Sequence, residues 1–294
     1  MTAELRFDGQ VAVVTGAGGG LGAAYAGLLA ARGAAVVVND IDAGRAGEVA
    51  AAVAAAGGAA VADGHDVATA EGGAAVVAAA LAAYGRVDAV VNNAGILADR
   101  AFHHLSPADF DAVVAVHLGG AVHVTRAAWP HLRAQGYGRV VMATSSSGLL
   151  GNAGQANYGA AKAALVGLAR SLAAEGARHG IAVNAVAPLA RTAMTEALLG
   201  PAGARLPPEL VAPVVAWLCH RDCPVSGEVL SAGGGRVARY FVGLTPGICD
   251  PALTLESLAA RWPEVADEAG YAVPATPAAE VAALLARLEG VSSK

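Results

Sequence analysis

An α/β fold is predicted for this chain: a doubly wound, parallel, seven-stranded sheet followed by a C-terminal helical extension. Three observations carry that expectation. Short Val-rich runs alternate with longer Ala/Leu segments through the first two-thirds of the chain. The runs are apolar throughout rather than alternating with polar residues, as strands covered on both faces must be. A glycine-rich stretch, Gly16-Ala-Gly-Gly-Gly-Leu-Gly22, follows the first run, where a strand would turn into a helix.

The elements follow in order. Strands are expected at Val11–Thr15, Ala35–Asn39, Ala59–Asp63, Ala89–Asn92, Arg139–Thr144 and Ile181–Ala187, with a weaker seventh at Glu228–Ser231. Helices are expected near Gly20–Arg32, Gly44–Ala56, Thr69–Tyr84, Pro107–Arg133, Asn157–His179 and Pro208–Leu218. Ser106-Pro-Ala-Asp109 starts a helix well, with an N-cap Ser, Pro at N1 and an acid at N3. From about Arg236 the rhythm stops. Five prolines punctuate a tail with two or three short helices, one at Pro277–Leu288. We therefore expect a dinucleotide-binding domain over 1–235 and a capping extension over 236–294.

Composition narrows the class. Of 294 residues, 55% are hydrophobic and 15% charged, so a sizeable core is easily built. The net charge of −5, with no basic stripe carrying interleaved aromatics, argues against nucleic-acid binding. No uninterrupted apolar run reaches a membrane span, and no basic leader opens the chain, so a soluble intracellular protein without membrane contact is expected. Three cysteines make no disulfide framework. Cys219-His-Arg-Asp-Cys223 reads as a helix end and His103-His104 as loop, so no metal is expected.

The residues that suggest chemistry are few. Of the 19 basic residues 17 are Arg, and the only lysines are Lys162 and Lys294. Lys162 lies four residues after Tyr158, on the same helix face. An ammonium beside a phenol favours the phenolate, which would make Tyr158 a general acid/base for an alcohol proton. Gly16, Gly20 and Gly22 let the backbone approach a pyrophosphate at a helix N-terminus. Asp40 ends the second strand 18 residues after Gly22, where a carboxylate accepts both hydroxyls of an adenosine ribose and repels a 2′-phosphate. That selects NAD. Asp66 follows the third strand and is placed for the adenine amine. Asn92-Asn93-Ala94-Gly95 ends the fourth in a tight turn.

Together these pieces resemble the short-chain dehydrogenase/reductase family over residues 7 to about 235. Thr15-Gly16-x-x-x-Gly20-x-Gly22, Asp66, Asn92-Asn93-Ala94-Gly95, Ser145, Tyr158-x-x-x-Lys162, Asn184 and Pro188 match in order. Val116-His117-Leu118, Gly151-Asn-Ala-Gly-Gln-Ala-Asn-Tyr158, Trp217-Leu-Cys-His220 and the tail resemble one branch, the dehydrogenase units of peroxisomal multifunctional enzymes of type 2. The resemblance implies a Rossmann-like fold and a catalytic set of Ser145, Tyr158 and Lys162. Ser145 would orient the reacting oxygen, and Lys162 would also bind the nicotinamide ribose. It adds Leu21, Val67, Asn93, Ala94, Gly95, Pro188, Leu189, Thr192 and Met194 as cofactor contacts, with the 190–208 loop as a substrate lid. The wider family usually has Asn at His117, whose role there is relay or packing.

The same resemblance implies NAD-dependent oxidation of (3R)-hydroxyacyl-CoA, with 17β-hydroxysteroids, free or CoA-activated, as the alternative. Arg191, Arg205, Arg236 and Arg239 are candidates for the CoA phosphates. A carrier-protein reductase using NADPH is disfavoured by Asp40, and a non-catalytic NAD-binding regulator by the intact Ser145, Tyr158 and Lys162. A homodimer or homotetramer through the 107–133 and 157–179 helices is expected, with the tail over the neighbouring subunit's cleft. Val291-Ser-Ser-Lys294 is no peroxisomal address, so a free-standing cytoplasmic enzyme is expected.

Overall fold

The computed structural model describes residues 4–292; Ser293 and Lys294, the end of the stretch read above for an address signal, lie outside them. The first half runs β1 (Val11–Thr15), α1 (Gly20–Ala31), β2 (Ala35–Asn39), α2 (Ala43–Ala55), β3 (Ala59–Asp63), α3 (Ala70–Tyr84), β4 (Ala89–Asn92). Then come α4 (Pro107–Val114), α5 (Gly120–Gln135), β5 (Gly138–Ala143), α6 (Ser146–Leu150), α7 (Ala156–Gly176) and β6 (Ile181–Pro188). After them follow α8 (Glu196–Leu199), α9 (Ala212–Cys219), β7 (Val229–Gly233) and β8 (Arg236–Tyr240). The strand order is β3-β2-β1-β4-β5-β6-β7-β8, parallel from β3 to β7.

Register explains the unbroken valines. Val37, Val13, Val90, Val140 and Val183 stand side by side across five strands, all fully buried. One residue on, Val38, Val14, Val91 and Val141 form the next row, buried on the opposite face among Tyr25, Leu29, Val215 and Leu218 of α1 and α9. Each valine taken from water contributes roughly 1.5–3 kcal/mol. Helix starts are capped as their sequences suggest. Asp42, Thr69 and Ser106 each accept the backbone N–H three residues on, at 3.1, 2.9 and 3.0 Å.

The short helices α6 and α8 were not expected, the expected helix Pro208–Leu218 starts as a 3-10 turn at Pro208–Leu210 before α9, and two larger features also differ from the expected elements. The expected helix Pro107–Arg133 is interrupted by a π-helical turn at Ala115–Gly119, which carries the buried His117. One extra residue per turn rotates that ring onto the end of β4, and the adjacent Gly119 and Gly120 have little helix propensity to oppose it. An eighth strand also follows the expected seven. Gly234 and Gly235, with φ of 58° and 82°, form a two-residue turn between β7 and β8. Such a turn requires positive φ twice and joins antiparallel neighbours only.

The chain divides into two compact units, 1–239 and 240–294. The second holds α10 (Leu255–Ala260), α11 (Trp262–Ala266) and α12 (Pro277–Ser292), with an antiparallel bridge from Leu244 to Ala272. None of its described side chains is buried. Trp262, expected to be covered, is 58% exposed, and Val281, Leu284 and Leu285 of α12 are more than half exposed. Among the described residues no helix is long and apolar enough to cross a membrane, and no group of three metal-ligating side chains occurs.

Candidate active site

The strand order reverses between β1 and β4, so their following helices leave on opposite sides and open a crevice at the carboxyl ends. Thr15 ties that point together. Its hydroxyl accepts the N–H groups of Asn93 and Ala94 at 3.0 and 3.1 Å, and the Asn93 amide donates to the carbonyls of Thr15 and Gly16, both at 3.0 Å. Thr15 and the Asn93 amide thus fix where the glycine turn sits.

The turn is shaped for a ligand that needs backbone contact. Gly16 has φ +61°, and a Cβ there would lie 2.7 Å from Ala94 Cα. A Cβ on Gly22 would lie 2.3 Å from the Gly16 carbonyl oxygen. A Cβ on Gly20 would lie 3.2 Å from the Thr192 methyl, so Thr192 does reach the turn. The α1 N-cap, Gly19, offers no side-chain cap, leaving first-turn N–H groups for an anion. Asp40 is half-buried at the end of β2; its two oxygens accept the N–H groups of Gly18 at 2.9 Å and Asp42 at 3.1 Å. Each oxygen keeps lone-pair capacity for a ribose hydroxyl. These residues fit a dinucleotide.

Other expected contacts sit at the rim or outside it. Asp66 is exposed and its carboxylate caps its own turn through Ala68 N–H at 2.9 Å. Val67 is buried against Gly120. Leu21 is part-buried on the first turn of α1, and Gly95 packs beneath His117. Pro188 ends β6, and the N–H of Leu189 bonds Ala232 O at 2.8 Å. Leu189 and Met194 are about half exposed. The 190–208 segment is ordered by Arg191 N–H to Leu206 O at 2.7 Å and by the Thr195 hydroxyl to Ala190 O at 2.6 Å. Of the arginines considered for phosphates, Arg239 is ion-paired with Glu228 at 3.1 Å.

Ser145, Tyr158 and Lys162 converge. Ser145 caps α6 after β5, its oxygen accepting Ser147 N–H at 3.2 Å. The Ser145 side chain stands close enough to Tyr158 to lower the pKa of its hydroxyl. Lys162 Nζ lies 5.5 Å from the centroid of the Tyr158 ring and donates to the Ala143 carbonyl. The Thr144 hydroxyl donates to Lys162 O at 2.6 Å, fastening α7 to the end of β5. Asn157, fully buried, donates to Ala98 O at 3.0 Å while its own oxygen accepts Tyr158 N–H at 2.8 Å. Sequence reading passed over Thr144 and Asn157 as positioning residues; their only signal was adjacency to Ser145 and Tyr158.

Protonation differs from the expectation of an ammonium that lowers the phenol. Burial pushes the Tyr158 hydroxyl above the ordinary tyrosine value, Ser145 pulls it back, and Asp99 raises it further. Burial also pulls Lys162 down to about 7, so its charge is itself weakened near neutrality. His117 stands edge-on to the Tyr158 ring at 5.2 Å. Its Nε2 is 2.8 Å from Ile96 O and 3.1 Å from Ile96 N, and its buried Nδ1 has no partner. Burial first, then Lys162, pull it down to about 3, so the ring is neutral.

Comparison with known proteins agrees with this geometry. The short chain dehydrogenase family profile matches residues 10–200. A short-chain type dehydrogenase/reductase of Mycobacterium tuberculosis is 50% identical over 272 residues, covering 89% of this chain and 95% of that protein. The hydroxyacyl-CoA dehydrogenase ChsB1 of the same organism is 41% identical over 207 residues, 66% of this chain and 65% of that one. The solved structure of full-length peroxisomal multifunctional enzyme type 2 from Drosophila melanogaster superposes with a TM-score of 0.84 at 38% identity. It matches 98% of this chain, which spans about half that protein's length, 51%. With the glycine turn, the Asn-Asn-Ala-Gly turn and the Ser145, Tyr158 and Lys162 cluster all on one crevice, the chain belongs to the short-chain dehydrogenase/reductase family of oxidoreductases.

Proposed function

We propose that the chain catalyses reversible oxidation of a secondary alcohol with NAD, and that the alcohol is a (3R)-3-hydroxyacyl-CoA. The convergence of Ser145, Tyr158 and Lys162 beside the glycine turn carries the reaction class. Likeness to a hydroxyacyl-CoA dehydrogenase and to the multifunctional enzyme supports the substrate. NAD rather than NADP rests on the Asp40 carboxylate, which a 2′-phosphate would meet as a like charge. When bound, the nicotinamide accepts or supplies the hydride.

The protein's part is the proton. Ser145 donates to the reacting oxygen and holds it against the Tyr158 hydroxyl. In ketone reduction the buried Tyr158, protonated at neutral pH, gives its proton to the oxygen as the alcohol forms. In oxidation Tyr158 first gives up its own proton, and the phenolate oxygen then accepts the alcohol proton as the hydride leaves for the nicotinamide. Lys162, drawn down by burial to about 7, is neutral for much of the time near pH 7 and is the base placed to take up the proton that Tyr158 releases. Gly16, Gly20, Gly22, Asp40 and Thr192 hold the dinucleotide, and Leu189 and Met194 supply exposed apolar surface beside it.

We further propose residues 240–294 as a cap that acts in a homodimer. Its exposed Trp262 and the apolar stripe of α12 need a covering surface, and a long acyl chain needs water excluded. A cytoplasmic setting suits the three unpaired cysteines. The test is a panel of 3-hydroxyacyl-CoA chain lengths and a free 17β-hydroxysteroid, each with NAD and with NADP, read as reduced dinucleotide formed. Preferred turnover of 3-hydroxyacyl-CoA with NAD is expected; preferred turnover of the steroid, or of NADP, would contradict the reading.

A further inference from the structure

The loop that follows β4 is fastened to the start of α7, the helix that carries Tyr158. Arg100 N–H donates to Gly154 O at 2.9 Å, and the Asn157 side-chain amide donates to Ala98 O at 3.0 Å. Between them the Gln155 side-chain amide donates to Asp99 Oδ2 at 2.8 Å. Gln155 is held in turn by Asn152, whose side-chain amide donates to Gln155 Oε1 at 2.9 Å and whose carbonyl accepts Gln155 N–H at 3.2 Å. Residues 98, 99 and 100 are thus each bonded to the segment 154–157, and Asp99, though exposed, is fixed near Tyr158. The charged neighbours of the Tyr158 ring come from each element around it. Lys162 Nζ lies 5.5 Å from the ring centroid and is drawn down to about 7, and His117, edge-on at 5.2 Å, is neutral. Helix α6 carries no titratable side chain, and α4 meets Asn157 through the Asp109 carbonyl at 3.4 Å. Asp99 supplies the negative charge that raises the hydroxyl. Its neighbour Arg100 turns Nη1 to the Asp99 backbone carbonyl at 2.8 Å, and the carboxylate is held by an amide instead. A guanidinium there would cancel the charge; an uncharged amide fixes it in place and leaves it whole.

We propose that Asp99, strapped by Gln155, is a positioning residue that acts through Tyr158: it keeps a fixed negative charge beside the phenol and so sets the pH above which alcohol oxidation runs. This rests on the reading of Tyr158 as the group that moves the proton. A carboxylate beside a phenolate is a like charge, so it disfavours the form that oxidation needs and favours the protonated form that ketone reduction needs. Removing the Asp99 charge should ease the loss of the Tyr158 proton and leave the proton-transfer geometry in place. Gln155 matters only through the carboxylate it holds.

The experiment compares full-chain wild type, Asp99→Asn, Asp99→Glu and Gln155→Leu. Both kcat and kcat/KM for oxidation of (3R)-3-hydroxybutyryl-CoA by NAD are followed from about pH 6 to about pH 9. Asn can still accept from Gln155 and removes only the charge. Its profile should move to lower pH by at least about half a unit, roughly threefold in rate at a fixed pH on the rising limb. Asp99→Glu restores the charge and should restore the wild-type profile, and Gln155→Leu, which frees the carboxylate, should fall between. Added salt should move wild type toward Asp99→Asn and move that variant much less. A second readout needs no substrate. The tyrosinate absorbance that each protein loses on Tyr158→Phe should appear at lower pH in Asp99→Asn than in wild type. The proposal is overturned if Asp99→Asn changes the rate by one factor at every pH, as a loosened loop would, or if neither the kinetic nor the absorbance profile moves. A wild type that does not turn over this substrate would sink the substrate reading, and the absorbance readout would then decide the role of Asp99 by itself.

Discussion

Replacing Lys162 by Met exchanges a buried ammonium for an apolar chain of similar length. Folded, Lys162 is pulled from 10.5 to about 7 by burial; unfolded, it regains its ordinary value. Between about pH 7 and pH 10 the unfolded chain holds a proton that the folded chain has released. Lys162 therefore makes stability rise with pH across that window and contributes no slope below about pH 7. At about 1.4 kcal/mol per pH unit the ceiling is about 5 kcal/mol. Relaxation and water entry around buried ions bring the expected penalty to about 2–4 kcal/mol. Met would also leave the Ala143 carbonyl without its Lys162 bond, at a cost of about 1–3 kcal/mol. Net, Lys162→Met should be more stable than wild type by about 1 kcal/mol at pH 6–7, with the order reversing toward pH 10, where only the lost hydrogen bond remains, while turnover is lost. Urea unfolding followed by circular dichroism at several pH values reads this directly. Parallel pH profiles for the two proteins would refute the argument that Lys162 is held against its solvation.

Other consequences follow from the same contacts. Gly22→Ala puts a methyl 2.3 Å from the Gly16 carbonyl oxygen and 2.7 Å from Ala17 Cα, both backbone. It should cost about 1–3 kcal/mol in thermal unfolding and weaken dinucleotide binding. Gly167→Ala, with nothing within 4 Å, should instead gain up to about 1 kcal/mol in helix propensity. Equal melting of the two variants would contradict the turn geometry. His117, neutral down to about pH 3, should leave kcat/KM without an inflection near pH 6.5; such an inflection, lost in His117→Asn, would show that the ring titrates in function. A chain cut after Tyr240 keeps every strand and should bind NADH but lose affinity for long acyl-CoA substrates. If what stays soluble keeps normal KM, the cap has no part in the site.

Much of this was legible because the signals were local and redundant. β1, β2 and β4 fall at the boundaries their valine runs imply, since a buried parallel strand tolerates little else, and the edge strand β3, with one valine and only Asp63 buried, also keeps its expected bounds. The spacing from Tyr158 to Lys162 and the turn at Gly16–Gly22 placed the crevice. What escaped was set by contacts distant in sequence. The π-helical turn depends on His117 meeting Ile96, 21 residues away. The upward push on Tyr158 depends on burial, which no spacing reports. β8 was readable in principle, because Gly234-Gly235 between two short β-prone runs is a hairpin signal.

The central claim is that Tyr158 moves the proton in a hydride transfer from a (3R)-3-hydroxyacyl-CoA to NAD. Tyr158→Phe removes only the hydroxyl. Its turnover and its NADH binding should be measured beside wild type, with one 3-hydroxyacyl-CoA as substrate. The account predicts a loss of turnover by orders of magnitude with NADH affinity within a few-fold of wild type. Substantial residual turnover in Tyr158→Phe, or a wild type that forms no NADH from that substrate, would contradict it.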